Sequence, residues 1–371
     1  MKIIMIIPTL EFGGAQNIAV GLAEEVHKKG HDVNIITFYG NNDYCDRLNK
    51  SGVGYIYLDY KFSFGLKDIL RLKKLSNSLY RIIQEQQPEI IHTHLFLVKL
   101  ILNLGFRKLN SKVIDTQHDM SPWWKSKRLS SKLKTCVEYY FANYKANHVV
   151  AISKSVRKGV LDNFKLDVSK VTMVYNFVEH NSYQKKVNTE ELFRIIMVAR
   201  LNLKKKGLDL CVEIIDYLVN VLHTKNIQVD IVGDGPDLIE FNNLIKSKGL
   251  DAFFNFLGYQ KDVYGLYAKS DIAILTSRWE GFGLTAAEAA LAGLPAVAFD
   301  VPGLNEVIID KHTGLLISDF NIKKFAKSIL QLKENFSMRR SLGESAKAKA
   351  KNEFEKESVV NRYLKIYKKL L

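Results

Sequence analysis

This sequence is poor in three features: long hydrophobic runs, closely spaced cysteines and acidic side chains. Only three of its 371 residues are cysteine, and these are far apart at Cys45, Cys136 and Cys211, which excludes a disulfide framework and argues against a cysteine-based zinc site. The nearest approach to a membrane span, 95–106, falls short of the roughly 20 residues that cross a bilayer. The apolar run 3–7 is too brief for a signal-peptide core. We therefore expect a reduced, cytoplasmic protein.

Acidic residues are scarcest in the first half of the chain. The 54 Lys and Arg residues exceed the 39 Asp and Glu residues by 15, and 10 of that excess lies before residue 184. Residues 122–134 include no acidic side chain and combine tryptophan with basic groups, namely Trp123, Trp124, Lys125, Lys127, Arg128, Lys132 and Lys134. Basic groups beside tryptophan suit an anionic lipid surface, at ~1 kcal/mol per charge. We predict that this segment binds the inner face of the cell membrane peripherally. No motif for nucleic-acid binding accompanies the charge.

A second basic stretch, 67–81, places leucines at helical spacing between lysines and arginines. The pattern leaves two interpretations open. The helix is either a further lipid-facing surface or an ordinary solvated helix whose leucines point into the core.

Short β-branched apolar runs alternate with longer helical stretches along the whole chain, as at 2–7 and 90–94. Such runs indicate parallel sheets covered by helices on both faces. The polar stretch 176–191 interrupts the rhythm. We therefore predict two doubly wound, Rossmann-like α/β domains that face each other across a cleft. Their expected bounds are 1–183 and 184–352, followed by a C-terminal helix in 353–371 that returns to the first domain.

Three glycine-containing or basic loops follow predicted strands, where doubly wound domains bind ligands. Gly13 and Gly14 open the first helix, where backbone N–H groups can approach a phosphate, although a plain tight turn explains this pair equally well. Arg200 and Lys206 follow the first strand of the second domain and are suited to a diphosphate. A solvated basic loop is the alternative there.

The third loop is the most informative. Gly283 is predicted to begin a helix whose first N–H groups, from Gly283 through Leu284 to Thr285, can bind phosphate oxygens. Glu280 and Glu288 stand eight residues apart around this helix start. Because Glu288 is the lone carboxylate among four alanines, we expect it to have a ligand, such as two vicinal hydroxyls of a ribose.

Together these motifs resemble the family 4 glycosyltransferases, which are retaining enzymes of the GT-B fold. The resemblance covers nearly the whole chain and is strongest in the second half. Its motifs, in order, are Arg200…Lys206-Gly207, Gly233-Asp234-Gly235-Pro236, Phe256-Leu257-Gly258, Glu280…Glu288, Gly293-Leu294-Pro295, Gly303…Glu306 and Gly314-Leu315-Leu316.

The resemblance implies a role for each matching residue. Arg200 and Lys206 would hold the diphosphate of a nucleotide sugar and stabilise the departing nucleoside diphosphate. Glu288 would bind the ribose and Glu280 the transferred sugar. His118 would contact that sugar from the first domain.

Further implications concern the donor, the acceptor and the catalytic groups. Gly14 would approach the donor, and the family's usual donors are UDP-sugars used in surface polysaccharide, lipopolysaccharide or glycolipid assembly. A lipid-linked or glycan acceptor would bind to the first domain. No D-x-D pair occurs, so we expect neither metal nor cofactor. By sequence alone, His92, His94 and His118 cannot be ranked.

Two other functions remain open. A sugar-nucleotide epimerase of the same architecture would convert a nucleotide sugar without any acceptor. A non-catalytic subunit would keep the nucleotide site and support a partner transferase.

Overall fold

The computed structural model describes residues 1–60, 67–105, 109–120, 123–124, 126–179 and 192–371, with the backbone alone at 67–69. The described chain forms two compact units, Met1–Asn176 with Glu357–Leu371, and Phe177–Lys356. The predicted boundary at 183/184 lies outside the described residues.

The first unit is a parallel sheet with helices connecting its strands. Its described strands are β1 (Lys2–Ile6), β2 (Asp32–Thr37), β3 (Gly54–Tyr57), β4 (Ile90–His94), β5 (Lys112–Gln117), β6 (His148–Ala151) and β7 (Val171–Met173). Its helices are α1 (Gly14–Lys28), α2 (Cys45–Ser51), α3 (Lys67–Gln86), α4 (Phe96–Gly105), α5 (Leu129–Tyr140) and α6 (Lys154–Phe164). A π-helical turn, Phe141–Lys145, continues α5.

All strand pairs in this sheet are parallel, in the order β3-β2-β1-β4-β5-β6-β7. The strand order reverses between β1 and β4, and loops at the carboxyl ends of strands flanking such a reversal form the usual ligand site of a doubly wound domain. The central strands β1 and β4 are buried on both faces, as their continuous apolar runs predict.

The basic helix α3 is an ordinary amphipathic helix. Leu75 and Leu79 are fully buried, whereas Lys73 and Lys74 are exposed. Of the two interpretations of the stretch 67–81, the structure favours core-facing leucines with a solvated basic face.

The second unit repeats the architecture with a shorter sheet. Its strands are β8 (Phe193–Val198), β9 (Ile227–Val232), β10 (Phe254–Gly258), β11 (Ile272–Leu275), β12 (Ala296–Phe299) and β13 (Gly314–Ile317). Its helices are α7 (Leu203–Lys206), α8 (Leu208–Asp216), α9 (Leu238–Ser247), α10 (Tyr264–Lys269), α11 (Leu284–Leu291), α12 (Leu304–Val307), α13 (Ile322–Glu334) and α14 (Phe336–Glu353). The parallel order β10-β9-β8-β11-β12-β13 reverses between β8 and β11.

The C-terminal helix α15 (Lys356–Leu370) belongs to the first unit from Glu357 onward. Tyr363 and Tyr367 are buried there, and the Tyr367 hydroxyl lies 2.7 Å from His92 Nδ1 on β4. The predicted return of this helix to the first domain is therefore confirmed. Among the described residues, no helix has both the length and the apolar character that a bilayer crossing requires.

Candidate active site

In the second unit, the loop after β8 is held by two close backbone approaches. A side chain at Gly233 would overlap the carbonyl oxygen of Ala199, and one at Gly235 would overlap that of Leu201. The Leu201 amide also donates to the Asp234 carbonyl at 2.9 Å. Arg200 lies between these two anchored neighbours and is exposed, so the glycines fix the backbone of Arg200 while its guanidinium stays accessible.

Lys206 is positioned by the glycine that follows it. Gly207 adopts φ +60, and a Cβ there would overlap the Thr276 carbonyl oxygen at the end of β11. The Thr276 hydroxyl donates in turn to the Lys206 carbonyl at 2.8 Å. Only glycine tolerates both the left-handed backbone and this contact, so the Lys-Gly pair brings the lysine to the end of the neighbouring strand.

There Lys206 forms an ion pair with Glu280. Its Nζ lies 2.5 Å from Glu280 Oε1, and the two side chains are 17% and 9% exposed. The Ser277 hydroxyl donates to the same oxygen at 2.7 Å. Burial by itself raises the pKa of Glu280, but the Lys206 ammonium, with smaller effects from Lys205 and Ser277, holds it below its ordinary value. Glu280 is therefore an ionised acceptor at neutral pH.

This geometry identifies Lys206 as the lysine of the Lys204–Lys206 run that contacts Glu280. Lys204 is exposed. The backbone amide of Lys205 donates 2.7 Å to the Asn202 side chain, which caps α7.

Helix α11 begins as predicted, directly after Gly283. Gly283 has φ +90 and ψ +55, and its carbonyl accepts from the amides of Ala286 and Ala287 at 3.0 and 3.1 Å. Those bonds leave the amides of Leu284 and Thr285 in the first turn without an intrahelical partner. A Cβ at Gly283 would lie 2.5 Å from Leu304 Cδ2, so both backbone and packing favour glycine here.

Glu288 lies in the second turn of α11 and is half-buried. Among the described residues, its carboxylate has no hydrogen bond or ion pair. Burial first, and then the nearby carboxylate of Glu179, raise its pKa from 4.5 to about 8. A partly buried carboxyl group without a partner is typical of a residue that binds hydroxyl or N–H donors of a ligand.

In the first unit, the loop after β1 leads into α1. Gly13 is the N-cap with extended backbone, Gly14 is the first helical residue and is exposed, and no side chain caps the helix. The Gly13 carbonyl accepts from the Asn17 amide at 2.9 Å. The amides preceding Asn17 begin the helix without a side-chain cap, and anion binding by the glycine pair stays a prediction.

His118 follows β5 and contacts a second histidine. Its Nε2 lies 2.8 Å from Nδ1 of His94, at the end of β4. Burial, followed by the charge of Lys99, lowers the pKa of His118 to about 3, so the ring is neutral at physiological pH. Its hydrogen-bond partner His94 is fully buried. His118 is therefore paired with a buried histidine and is not a solvent-exposed loop residue.

The tryptophan pair differs from the expectation of lipid-facing indoles. Trp123 and Trp124 are half-buried, and their indole N–H groups both donate to Glu138 Oε2, at 2.9 and 2.7 Å. Glu138 is 1% exposed and pairs with the buried Lys99, whose Nζ also lies 2.9 Å from Asp115 Oδ2. A buried carboxylate captures both indoles because it needs donors, a requirement not visible in the local sequence.

The exposed apolar side chains of this region lie instead on α5 and the π-turn after it. Leu129 is 74% exposed, Leu133 is 60% exposed and Tyr144 is 68% exposed. The predicted surface cations Lys127, Arg128, Lys132 and Lys134 are also exposed. We call these seven residues the α5 surface. Lys125 lies outside the described residues.

Two residues near the site of the second unit, Ser277 and Glu179, were not predicted from the sequence. Ser277 follows β11 at its carboxyl end, a position that signals a ligand-facing residue, yet it is part of no motif. Glu179 lies near the start of the second unit, which begins at Phe177, and its charge acts on Glu288. No sequence signal indicates that these two carboxylates are close.

Comparisons with known proteins identify the family of this chain. The family description "Glycosyltransferase Family 4" matches residues 12–182, and "Glycosyl transferases group 1" matches residues 179–349. Between them the two matches cover most of both units. The chain belongs to the family 4 glycosyltransferases and has their two-domain GT-B fold.

Individual relatives are similar over most of their length. N-acetyl-alpha-D-glucosaminyl L-malate synthase of Bacillus anthracis is 24% identical, over 96% of this chain and 93% of its own. UDP-Gal:alpha-D-GlcNAc-diphosphoundecaprenol alpha-1,3-galactosyltransferase of Escherichia coli is 24% identical, over 70% of each. The crystal structure of Anabaena HepE with UDP-glucose superimposes with a TM-score of 0.84 at 18% identity, covering both chains fully.

Proposed function

We propose that this glycosyltransferase moves a hexose or N-acetylhexosamine from a UDP-sugar to a hydroxyl of a lipid-linked or glycan acceptor, in assembly of a surface polysaccharide or glycolipid. The ion pair between Lys206 and the buried Glu280 carries the proposal. It lies at the carboxyl ends of β8 and β11, where the strand order reverses, and it is followed by the open first turn of α11. Cations and free amides at such a position suit a diphosphate.

Each group has a defined task in the proposed reaction. Arg200, Lys206 and the amides of Leu284 and Thr285 bind the diphosphate and offset the negative charge that grows on it as the sugar leaves. Glu280 accepts hydrogen bonds from hydroxyl groups of the transferred sugar, and its ion pair with Lys206 fixes the distance between sugar and diphosphate sites. Glu288 binds the two ribose hydroxyls.

We propose that configuration at the anomeric carbon is retained and that no metal takes part. The bond from that carbon to the diphosphate oxygen breaks, and the acceptor oxygen bonds to the same face. The acceptor proton passes to a phosphate oxygen of the leaving diphosphate. Catalysis then rests on positioning and on electrostatic stabilisation of the leaving group. His118 contacts the transferred sugar, and Gly13 and Gly14 bring backbone amides to the donor.

The names of two relatives point to different acceptor classes. The Escherichia coli relative is named for a UDP-sugar donor and a diphosphoundecaprenol-linked acceptor, whereas the Bacillus relative is named for malate. The basic, apolar α5 surface favours the lipid-linked acceptor for this chain.

A mass-spectrometric screen tests the proposal. Purified protein is incubated with UDP-sugars and GDP-sugars, each with a polyprenyl-diphosphate-linked sugar, with malate, or with no acceptor. Product on the lipid-linked acceptor is expected, and EDTA leaves the rate unchanged. Conversion of the nucleotide sugar without acceptor favours an epimerase, binding without product favours a non-catalytic subunit, and product on malate alone overturns the acceptor class.

We also propose that the α5 surface docks on anionic lipid. Glu138, the acidic residue of α5, is buried, so the exposed charges of this helix are all positive. Leu129 and Leu133, one helical turn apart, supply apolar groups that can enter the headgroup region. Each basic residue near an anionic membrane contributes ~1 kcal/mol of attraction. We therefore expect the four described cations to contribute more to membrane binding than the two leucines.

Co-sedimentation with vesicles tests this docking. The charge variant K127Q/R128Q/K132Q/K134Q is expected to lose at least about tenfold in affinity for phosphatidylglycerol vesicles, and L129S/L133S to lose a smaller factor. The matched control K73Q/K74Q removes two exposed lysines from α3 and is expected to bind as wild type. Equal loss in the control, or unchanged binding by the charge variant, contradicts a docking role for the α5 surface.

A further inference from the structure

The short helix α7 ends at Lys206, and it is too short to be stable by itself. It has four residues, whereas isolated helices below roughly 12 residues are marginal in water. The Asn202 side chain caps its first turn. The last carbonyl groups of a helix lack partners within that helix, so other parts of the chain must hold its C-terminal end. The position of the Lys206 side chain depends on what holds that end.

The loop after β11 holds it, and most of the bonds come from Arg278. The Arg278 amide donates to the Lys205 carbonyl at 2.9 Å. Its guanidinium Nη1 donates to the carbonyls of Leu203 and Lys204, at 3.3 and 3.4 Å. The threonine hydroxyl bond to the Lys206 carbonyl, described above, completes the set. Every carbonyl group of α7 is therefore bonded to this loop.

The orientation of the Arg278 guanidinium is fixed by Asp209, in the first turn of α8. Nη1 lies 2.8 Å from Asp209 Oδ1, and Nη2 lies 2.5 Å from Oδ2. This two-point contact defines the plane of the guanidinium, because each carboxylate oxygen accepts from a different nitrogen. The bonds of the guanidinium are thus directed to α7 and α8, so Arg278 does not serve as a further diphosphate ligand.

The effect of Arg278 is local to the site. The side chains of Arg278 and Asp209 are 31% and 36% exposed, and ion pairs this accessible contribute little to global stability. Two residues further along the same loop, Glu280 Oε1 lies 2.5 Å from Lys206 Nζ. One loop therefore holds the backbone around Lys206 through Arg278 and its ammonium group through Glu280.

We propose that Arg278 is a positioning residue, which together with Asp209 fixes α7 so that Lys206 can contact Glu280 and the donor diphosphate at once. This inference rests on the proposed function, since it deepens the role given there to Lys206. Arg278 acts through Lys206 and does not touch the donor. Its removal should therefore weaken binding of the diphosphate and leave binding of the nucleoside unchanged.

Calorimetric titration with UDP tests this role. Asp209→Asn/Arg278→Met removes the ion pair at unchanged net charge and keeps the backbone bond of residue 278. We expect UDP binding to weaken about tenfold, because a displaced Lys206 loses charge-assisted bonds to the diphosphate. Affinity for uridine, which lacks the diphosphate, should stay at the wild-type value in ligand-observed NMR.

A double-mutant cycle shows whether Arg278 acts through Lys206. In a Lys206→Ala background, Asp209→Asn/Arg278→Met should weaken UDP binding by less than about twofold, because residues that act through one group are not additive. The matched control Asp216→Asn/Lys248→Met removes an ion pair of similar exposure at the other end of α8, 25% and 37% exposed. It is expected to bind UDP as wild type. If the double variant does not fold, Asp209→Asn alone is compared in the same two backgrounds, with the same direction expected.

The outcomes separate this inference from the proposed function. Three results overturn the inference and leave the proposed function intact: wild-type UDP affinity in Asp209→Asn/Arg278→Met, an equal loss for uridine, or the same loss in the Lys206→Ala background. Unchanged UDP affinity in Lys206→Ala itself instead removes Lys206 from the proposed diphosphate site, and the inference fails with it.

Discussion

Replacing Glu288 by glutamine is expected to stabilise the fold and weaken nucleotide binding at the same time. Glu288 is half-buried on α11, has no hydrogen-bond partner among the described residues and has the carboxylate of Glu179 nearby. Burial and this like charge make ionisation unfavourable in the folded state. Glutamine has nearly the same shape and cannot ionise, so it removes that penalty together with the charge that would bind ribose.

The size of the effect follows from the pKa of Glu288. A pKa raised from 4.5 to about 8 means that the folded state keeps a proton which the unfolded state has already lost. The associated stability is fully present below pH 4.5 and is lost as pH rises to 8, at about 1.4 kcal/mol per pH unit. By pH 7 this corresponds to about 3 kcal/mol as an upper limit. Because solvent reaches part of the side chain, we expect Glu288→Gln to gain about 1–2 kcal/mol.

Urea unfolding at pH 5 and pH 7.5 measures this gain. The advantage of Glu288→Gln should be small at pH 5 and larger at pH 7.5, whereas the exposed control Glu240→Gln on α9 should stay within about 0.5 kcal/mol at both. A loss of stability at pH 7.5, or an effect independent of pH, would refute the reasoning.

Calorimetric titration with UDP completes the test of Glu288. Loss of charge-assisted hydrogen bonds to ribose should weaken UDP binding about 10- to 100-fold in Glu288→Gln, from ~1.5–3 kcal/mol. In the wild type, affinity should rise between pH 6 and 8, with proton release on binding, because the carboxylate is the form that binds hydroxyl groups. Equal affinity of variant and wild type would remove Glu288 from the nucleotide site.

Two further predictions concern the same unit. Lys206→Ala should lower kcat about 10²- to 10³-fold, as for removal of one group that stabilises developing charge. It should also destabilise the fold, because Glu280 loses its cation. Turnover and thermal unfolding measure both effects, and the control Lys204→Ala, at an exposed position, should change neither. Gly283→Ala should lower the free energy of unfolding by about 1–3 kcal/mol because of the positive φ, and should weaken UDP binding by displacing the start of α11. The control Gly249→Ala, also at positive φ but with open space around it, should affect stability alone. Unchanged UDP affinity in Gly283→Ala would contradict anion binding at that helix end.

Much of the fold was predictable because its signals are local. The strands β1, β4 and β8 read as continuous apolar runs, and the doubly wound class follows from their alternation with helices. Gly283 was predicted to begin a helix before the Leu304 contact that requires glycine there was visible. The start of α11 was predicted correctly for the same reason, since a helix terminus is specified by its own few residues.

The sequence alone determined which chemical groups this protein offers: cations after β8, two carboxylates eight residues apart around a glycine, and a basic surface on α5. Tertiary structure alone decided which of them meet. Lys206 and Glu280 are 74 residues apart in sequence. They meet because the strands that precede them, β8 and β11, are neighbours in the sheet. The tryptophan pair turns toward Glu138 because a buried carboxylate must find donors, and His118 is held by His94 because β4 and β5 are adjacent. Such pairings depend on burial and strand order, which no local stretch of sequence encodes.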